Sequence, residues 1–229
     1  MAELIVALDY TDAEQALSTA RTLQGTPLWM KVGLELFTHE GPAVVQALKH
    51  MGFRVMLDLK MFDIPNTVKG GIRSACRLGV DLVTVHTLGG ERMIRAAAEA
   101  ISESAAAGGA APKLFGITIL TSMSQGELPG YTQDLGTFAG DLAVSGKSWG
   151  LDGVVCSGHE VRSIKQRCPE ILCLTPGIRP SSGTKDDQRR VMTPAEAVQA
   201  GSDYLVVGRP ITKADSPAEA ARAILAEMA

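Results

Sequence analysis

The sequence predicts an α/β protein of the (β/α)8 barrel class. Eight short apolar runs recur along the 229 residues, at a mean spacing of about thirty residues, and helix-forming segments lie between them. An unbroken alternation of strand and helix over this length is typical of a closed barrel. A doubly wound open sheet is the alternative that the same alternation allows.

The eight runs are continuously apolar rather than alternating, as expected for parallel strands that are covered on both faces. In chain order they are residues 4–8, 28–32, 53–59, 81–86, 113–120, 152–156, 171–175 and 204–207. No linker, low-complexity tract or shift in composition divides them. We therefore expect a single domain over residues 1–229.

The segments between the runs carry signals for helix ends. Thr11, with a glutamate three residues later, resembles a capping box. Thr193 and Ser216 each precede a proline and have a glutamate three residues on, which predicts two more helix starts. Gly79 and Gly201 stand where a helix must end before the next strand.

Composition limits the classes of partner. The net charge of −3 and the pI of about 5.8 argue against a nucleic-acid or anionic-membrane surface, because either would need an excess of Lys and Arg. No run approaches the roughly 18 apolar residues of a membrane helix, and the N-terminal segment lacks the basic region of a signal peptide. The four cysteines have no metal-site spacing. We expect a cytoplasmic protein without nucleic-acid or membrane partners.

Ionisable residues stand at the ends of the first three predicted strands. Asp9 follows the first, Lys31 ends the second, and Asp58 and Lys60 end the third. In a barrel the loops after the strands build the active-site face, so this coincidence predicts an active site. The remaining strand ends carry His86, Thr121, Ser157, Pro176, Arg179, Gly208 and Arg209. Of these, His86 is expected to be a hydrogen-bonded residue rather than a metal ligand.

Asp58 and Lys60 are two residues apart on one strand, so their side chains should share a face. Asp63 lies beyond the strand and need not share it. Alternating carboxylates and ammonium groups keep one another ionised. A purely structural ion pair is the alternative, although apolar layers fill a barrel centre more stably. A charged lysine in such a place is suited to stabilise a developing carbanion and then to protonate it.

The last two strand ends suggest an anion site. Residues 175–190 are rich in Gly and Pro and carry several cations, which predicts a mobile loop that closes over an anion; a solvated surface loop is the alternative. Barrels commonly bind phosphate at the loops after strands 7 and 8. Backbone N–H groups near Gly208, together with Arg209, would form such a site, with planar bidentate contacts from the guanidinium.

Residues 58–67, DLKMFDIPNT, resemble the D-x-K-x-x-D-I-P-N-T signature of the orotidine 5′-phosphate decarboxylase family. The resemblance extends along nearly the whole chain and includes residues 6–9, 31–33, 85–86, 120–123, 175–180 and 207–210. The residue before the second aspartate, often His or Tyr in this family, is Phe62 here.

The resemblance implies loss of CO2 from orotidine 5′-monophosphate to give UMP in pyrimidine synthesis, with no cofactor and no metal. It places Asp58 against the departing carboxylate. It assigns to Lys60 the stabilisation of charge at C6 and delivery of the proton. Lys31 and Asp9 would hold ribose hydroxyls and continue the charge network, and Asp63 completes the catalytic set.

The resemblance also assigns the rest of the substrate site. Thr121 and Ser122 would lie near the pyrimidine. The other substrate-binding residues would be Pro176 and, on the phosphate side, Arg179, Gln188, Gly208 and Arg209, with residues 180–190 closing as a lid. The residues matching Asp63, Ile64 and Thr67 would reach into the active site of a neighbouring subunit, which implies a catalytic homodimer.

Two other functions remain open. Metal-dependent sugar-phosphate lyases and aldolases share a D-x-K-x-x-D core and use Mg²⁺ with carboxylate ligands. The IPNT extension and the glutamine in the lid favour the decarboxylase. The third possibility is a phosphate-binding barrel without catalytic activity, which the complete charged array argues against.

Overall fold

The computed structural model describes residues 2–128, 130–180 and 192–229. Within these residues eight parallel strands form a closed barrel, in which each strand pairs with its neighbours in the chain and the eighth pairs with the first. The strands are β1 (Glu3–Ala7), β2 (Leu28–Gly33), β3 (Arg54–Met61), β4 (Leu82–His86), β5 (Lys113–Ile117), β6 (Gly153–Val155), β7 (Leu172–Thr175) and β8 (Tyr204–Val207). The predicted (β/α)8 barrel is confirmed, and the open sheet is wrong.

Helices connect the strands on the outside of the barrel. They are α1 (Ala13–Thr22), α2 (Leu34–Glu40), α3 (Pro42–His50), α4 (Pro65–Arg77), α5 (Gly90–Ala106), α6 (Leu135–Trp149), α7 (Gly158–Arg167), α8 (Pro194–Ala200), α9 (Arg209–Thr212) and α10 (Pro217–Glu227). A short 3-10 turn, Thr87–Gly89, follows β4. Among the described residues, none of the helices has the length and apolar character needed to cross a membrane.

The helix ends follow local sequence, with one correction. The helix start predicted at Thr193 is confirmed, since Thr193 forms a capping box at the start of α8, and Gly201 ends that helix at a φ of 104°. Ser216 caps α10 through the backbone N–H of Glu219. The prediction for α1 was wrong, because Asp12 rather than Thr11 is its N-cap and accepts a 2.9 Å bond from the backbone N–H of Gln15. A carboxylate in this position also gains from the positive end of the helix dipole.

The interior of the barrel is apolar at the N-terminal ends of the strands. Tyr204 makes edge-to-face contacts with Trp29 and Phe115, with ring centroids 5.6 and 5.7 Å apart. Gly153 on β6 makes room for the Phe115 ring, since a Cβ on residue 153 would collide with that ring. Aromatic packing therefore closes this end of the barrel and leaves the polar interior at the other end.

Three aspartates repeat one contact at the N-terminal end of the barrel. Each precedes an even-numbered strand, and its carboxylate accepts a 2.7 Å hydrogen bond from a backbone N–H of the strand before it. The pairs are Asp81 with Val55, Asp152 with Leu114, and Asp203 with Cys173. These contacts fix the N-terminal end of the barrel, whereas chemistry in barrels of this class lies at the opposite, C-terminal end.

Candidate active site

A cavity of about 280 Å³ opens at the C-terminal ends of the strands. Nine of the predicted site residues line it: Asp9, Lys31, Asp58, Lys60, Thr121, Pro176, Arg179, Gly208 and Arg209. Its remaining lining, which the sequence analysis missed, is Ala7, Met56, Val155, Leu174, Gly177 and Val206. Most of these are inward-facing strand residues, and the two-residue alternation within each strand was the signal that could have identified them.

Four charged side chains form a continuous row of ion pairs across this cavity, here called the charged chain: Asp9, Lys31, Asp58 and Lys60. The ammonium group of Lys31 donates to Asp9 Oδ1 at 2.8 Å and lies 3.7 Å from Asp58 Oδ2. The ammonium group of Lys60 donates to the same Asp58 oxygen at 2.6 Å. Lys31 and Asp58 are only 8% and 6% exposed, so their charges are stabilised by each other rather than by water.

Asp58 remains ionised in spite of its burial. Burial by itself raises the pKa of this carboxyl and is the largest single effect. The charges of Lys31 and Lys60, together with hydrogen bonds from Lys60 and Thr84, outweigh it, so the pKa lies below the ordinary value of 3.8. The site therefore presents a fixed carboxylate beside a fixed ammonium group.

Thr84 is a site residue that the sequence analysis missed. This fully buried side chain of β4 donates from Oγ1 to Asp58 Oδ1 at 2.9 Å, and its Oγ1 accepts from the backbone N–H of Lys60 at 3.0 Å. A threonine inside an apolar run is indistinguishable by sequence from an ordinary β-branched strand residue. Its spacing of two residues from His86, on the same face of the strand, was the only available signal.

The backbone at Lys60 departs from a regular strand. The pairing of β3 with β4 shifts register between Leu57 and Met61, and Lys60 has a φ of 51°, the only positive φ of a non-glycine residue in the described part of the chain. The side chains of Lys60 and Asp58 do meet, as predicted. Regular strand alternation, the reason given for that contact, does not hold here.

The described residues that were predicted to bind the phosphate lie on the cavity wall at the ends of β7 and β8. Arg179 and Arg209 both line the cavity, and the Arg179 guanidinium donates to the carbonyl of Ile178 at 3.0 Å. Ile178 also forms a β-bridge with Met192. Gln188 and residues 181–190 of the predicted lid lie outside the described residues.

Ser122 is placed beside this cavity rather than in it. With Thr121, which borders both spaces, it lines a second cavity of about 410 Å³ between the loop after β5 and the first turn of α7. The structure therefore brings Thr121 to the charged chain, and Ser122 only to its neighbourhood.

Asp63, Ile64 and Thr67 are exposed and do not line the cavity of their own subunit. The carboxylate of Asp63 accepts a 2.6 Å bond from the backbone N–H of Ile64 at the start of α4. Ile64 is 66% exposed and the neighbouring Phe62 is 61% exposed. These residues project from the rim of the barrel, beyond the end of β3.

His86 ends β4 near the charged chain. Its ring lies against that of Phe62, with centroids 5.6 Å apart, and its buried Nδ1 has no hydrogen-bond partner within the described structure. The expected hydrogen bond is therefore missing at that atom. Burial lowers the pKa of His86, and the positive charge of Lys60 lowers it further, against a smaller opposite effect of Asp58.

No group of three or more His, Cys, Asp or Glu side chains placed to hold a metal ion occurs among residues 2–128, 130–180 and 192–229. The two lysines are not metal ligands in their charged form, because an ammonium group has no free lone pair. The side chains of the charged chain pair with one another, in the ion pairs Lys31–Asp9, Lys31–Asp58 and Lys60–Asp58.

Comparisons with known proteins agree with the fold and identify the family. The sequence profile described as "Orotidine 5'-phosphate decarboxylase / HUMPS family" matches residues 2–224. The orotidine 5′-phosphate decarboxylase of Nitratidesulfovibrio vulgaris (strain DP4) is 63% identical over 231 residues, covering 100% of this chain and 98% of the relative. The enzyme of that name from Lawsonia intracellularis (strain PHE/MN1-00) is 61% identical over 217 residues, covering 95% of each chain.

A solved structure extends this similarity to three dimensions. The crystal structure of orotidine 5′-phosphate decarboxylase from Lactobacillus acidophilus has a TM-score of 0.88 at 37% identity, and covers 100% of this chain and 99% of that one. Sequence and fold agree over the full length of these proteins. The chain therefore belongs to the orotidine 5′-phosphate decarboxylase / HUMPS family.

Proposed function

We propose that the protein catalyses the decarboxylation of orotidine 5′-monophosphate to UMP and CO2. One observation carries the proposal: the ammonium group of Lys60 is fixed 2.6 Å from ionised Asp58, in a cavity that Arg179 and Arg209 also line. The names of the N. vulgaris and L. intracellularis relatives support it.

The chemistry follows from the charges. When the bond between C6 and its carboxylate breaks, CO2 leaves and the electron pair stays on C6. This carbanion is poorly delocalised, so a positive charge fixed beside C6 lowers the barrier. Lys60 supplies that charge and then transfers a proton to C6, after which the neutral amine takes up a proton from water.

The neighbours of Lys60 have separate roles. Asp58 lies against the substrate carboxylate, where its fixed charge favours the departure of CO2 and holds the Lys60 ammonium group in place. Lys31 and Asp9 hold the ribose hydroxyls, since their 2.8 Å pair borders the cavity next to Asp58. Thr121 lies beside the pyrimidine, with Ser122 behind it.

The phosphate is bound at the β7 and β8 wall. Arg179 and Arg209 provide planar donors for its oxygens, next to Pro176 and Gly208, and Gln188 contributes from the loop after β7. The phosphate does not react, but its binding energy can order the charged chain and close residues 180–190 over the substrate.

The proposal includes a homodimer. Large exposed apolar side chains follow three adjacent strands at the active-site end: Leu34 after β2, Phe62 and Ile64 after β3, and Leu88 after β4. An apolar rim of this kind is typical of a subunit interface. In this arrangement Asp63, Ile64 and Thr67 complete the active site of the partner. The single domain over residues 1–229 and the cytoplasmic location remain predictions.

The direct test is to mix purified protein with orotidine 5′-monophosphate in the presence of EDTA and to follow the ultraviolet change on conversion to UMP. We expect rapid turnover that EDTA does not affect. Activity that EDTA abolishes and Mg²⁺ restores would instead support the metal-dependent lyase class. Tight binding of the nucleotide without turnover would support a non-catalytic phosphate-binding barrel.

A further inference from the structure

The Thr84 hydroxyl connects the two residues at the centre of the proposed reaction. It lies 2.9 Å from Asp58 Oδ1 and 3.0 Å from the backbone nitrogen of Lys60. The direction of both bonds is fixed by chemistry: an ionised carboxylate can only accept, and a backbone N–H can only donate. The hydroxyl proton therefore points to Asp58 while the oxygen faces Lys60.

This contact falls on Lys60, the one non-glycine residue with a positive φ within residues 2–128, 130–180 and 192–229. Lys60 has a φ of 51°, a conformation that a non-glycine residue keeps only where its surroundings hold it. The Lys60 N–H has left the regular pairing with β4 at the register shift between Leu57 and Met61. Thr84 gives this N–H a partner, and so stabilises the turn that directs the lysine side chain.

Thr84 is also rigid. It is fully buried on β4, it pairs with Phe115 of β5 in the barrel register, and its β-branched side chain has few accessible rotamers. It does not line the cavity. Any influence on the reaction must therefore act through Lys60 and Asp58.

We propose that Thr84 is a positioning residue for the decarboxylation, which sets the Lys60 ammonium group and the Asp58 carboxylate in their reactive relation. The inference rests on the proposed function for its chemistry. The effect of Thr84 on the position of Lys60 can be tested in the protein alone, without turnover.

The kinetic test compares Thr84→Val with Thr84→Ser. Valine keeps the shape of the side chain and removes the hydroxyl, whereas serine keeps the hydroxyl. We expect Thr84→Val to lower kcat by about 10- to 100-fold, the size of effect that a small displacement of reacting groups produces, with KM within about threefold. Thr84→Ser should retain most of the wild-type kcat. An unchanged kcat in folded Thr84→Val would overturn the proposal.

Thr118→Val is the matched control. Thr118 is also fully buried, and its hydroxyl donates to the carbonyl of Val155 at 3.0 Å, so its replacement removes one buried hydrogen bond without contacting Lys60 or Asp58. It should lower the melting temperature with kcat unchanged. An equal loss of kcat in the two valine variants would mean that general loosening of the barrel, rather than positioning, explains the effect.

A crystal structure separates this inference from the proposed function. In Thr84→Val, or in Thr84→Ala if the valine variant does not fold, Lys60 should leave the left-handed region and its contact with Asp58 should lengthen. An unmoved Lys60 would overturn the inference whether or not the wild type accepts orotidine 5′-monophosphate. If the wild type shows no turnover but Lys60 moves as expected, only the proposed function fails.

Discussion

The ammonium group of Lys31 lies over the backbone of Gly33, so that a Cβ on residue 33 would stand 3.0 Å from Lys31 Nζ and 3.5 Å from Asp9 Oδ1. Lys31 and Gly33 both belong to β2 and face the same side of the strand. The lysine can extend along its own strand to Asp9 only because the position above it carries no side chain. The glycine of the KVG segment is thus explained by packing against a charge, not by backbone freedom.

Gly33→Ala should displace Lys31 from Asp9 without unfolding the barrel. We expect kcat/KM for orotidine 5′-monophosphate to fall by about tenfold, since a shift of well under 1 Å in a positioned group is sufficient. The control is Gly70→Ala on α4, where an added Cβ meets nothing within 4 Å and alanine favours the helix. A wild-type kcat/KM in Gly33→Ala would show that the Lys31–Asp9 pair tolerates displacement.

Lys60→Ala should abolish nearly all turnover while the protein stays folded. The expected loss in kcat is on the order of 10⁴ or more, because electrostatic stabilisation and general acid catalysis disappear together. Steady-state assays with circular dichroism as the folding check provide the measurement. Lys113→Ala, at the exposed N-terminal start of β5, should behave as wild type. Near-normal activity of Lys60→Ala would rule out the assignment.

Arg209→Ala should weaken substrate binding and also slow turnover. We expect kcat/KM for the nucleotide to fall about 10- to 100-fold, the range for a lost charged hydrogen bond. The phosphate-free nucleoside orotidine makes the test specific, since wild type and variant should process it equally slowly. Arg95→Ala, which removes only a surface pair with Glu91, is the control. An equal loss with both substrates would place Arg209 away from the phosphate.

Two inactive variants should complement each other if the dimer shares its sites. Lys60→Ala lacks its own proton donor, and Asp63→Ala lacks the residue proposed to enter the partner's site. After unfolding and refolding together in equal amounts, about a quarter of the wild-type activity should return, because a random mixture gives half heterodimers with one intact site each. Activity no greater than that of the separate variants would show that Asp63 serves its own subunit or none.

His86 should make stability depend on pH. Burial and Lys60 lower its pKa below the ordinary 6.5, so the unfolded chain binds a proton on this histidine before the folded chain does. The contribution of His86 to the free energy of unfolding is therefore complete above about pH 6.5 and is lost as the pH falls through the folded-state pKa of His86. Denaturant unfolding between pH 7 and 5 measures the free energy of unfolding at each pH. This free energy should fall less steeply with decreasing pH in His86→Gln than in the wild type. Thr118→Val, which removes a buried hydrogen bond but no titrating group, should keep the wild-type pH dependence.

The position of the site along the chain could be predicted from the sequence. Asp9, Lys31, Asp58 and Lys60 are far apart in the chain, but the carboxyl ends of parallel strands meet at one end of a barrel, and charges are unfavourable there unless they meet. Apolar runs of strand length indicate the alternation of strands and helices, and the charges that follow them indicate which end of the sheet carries the candidate site. The local pattern also allowed an open sheet, and only the pairing of β8 with β1 in the tertiary structure excludes it.

The tertiary structure decided the hydrogen-bond partners, backbone conformations and exposures that local sequence patterns do not predict. Thr84 contacts residues 24 and 26 positions away in the chain, and one of these contacts is with the backbone N–H of Lys60, which has a left-handed conformation. The exposure of Ile64 likewise depends on where the rim of the barrel ends. A sequence states which side chains are charged and how often apolar ones recur, but hydrogen-bond partners, strain and exposure arise only when distant strands come into register.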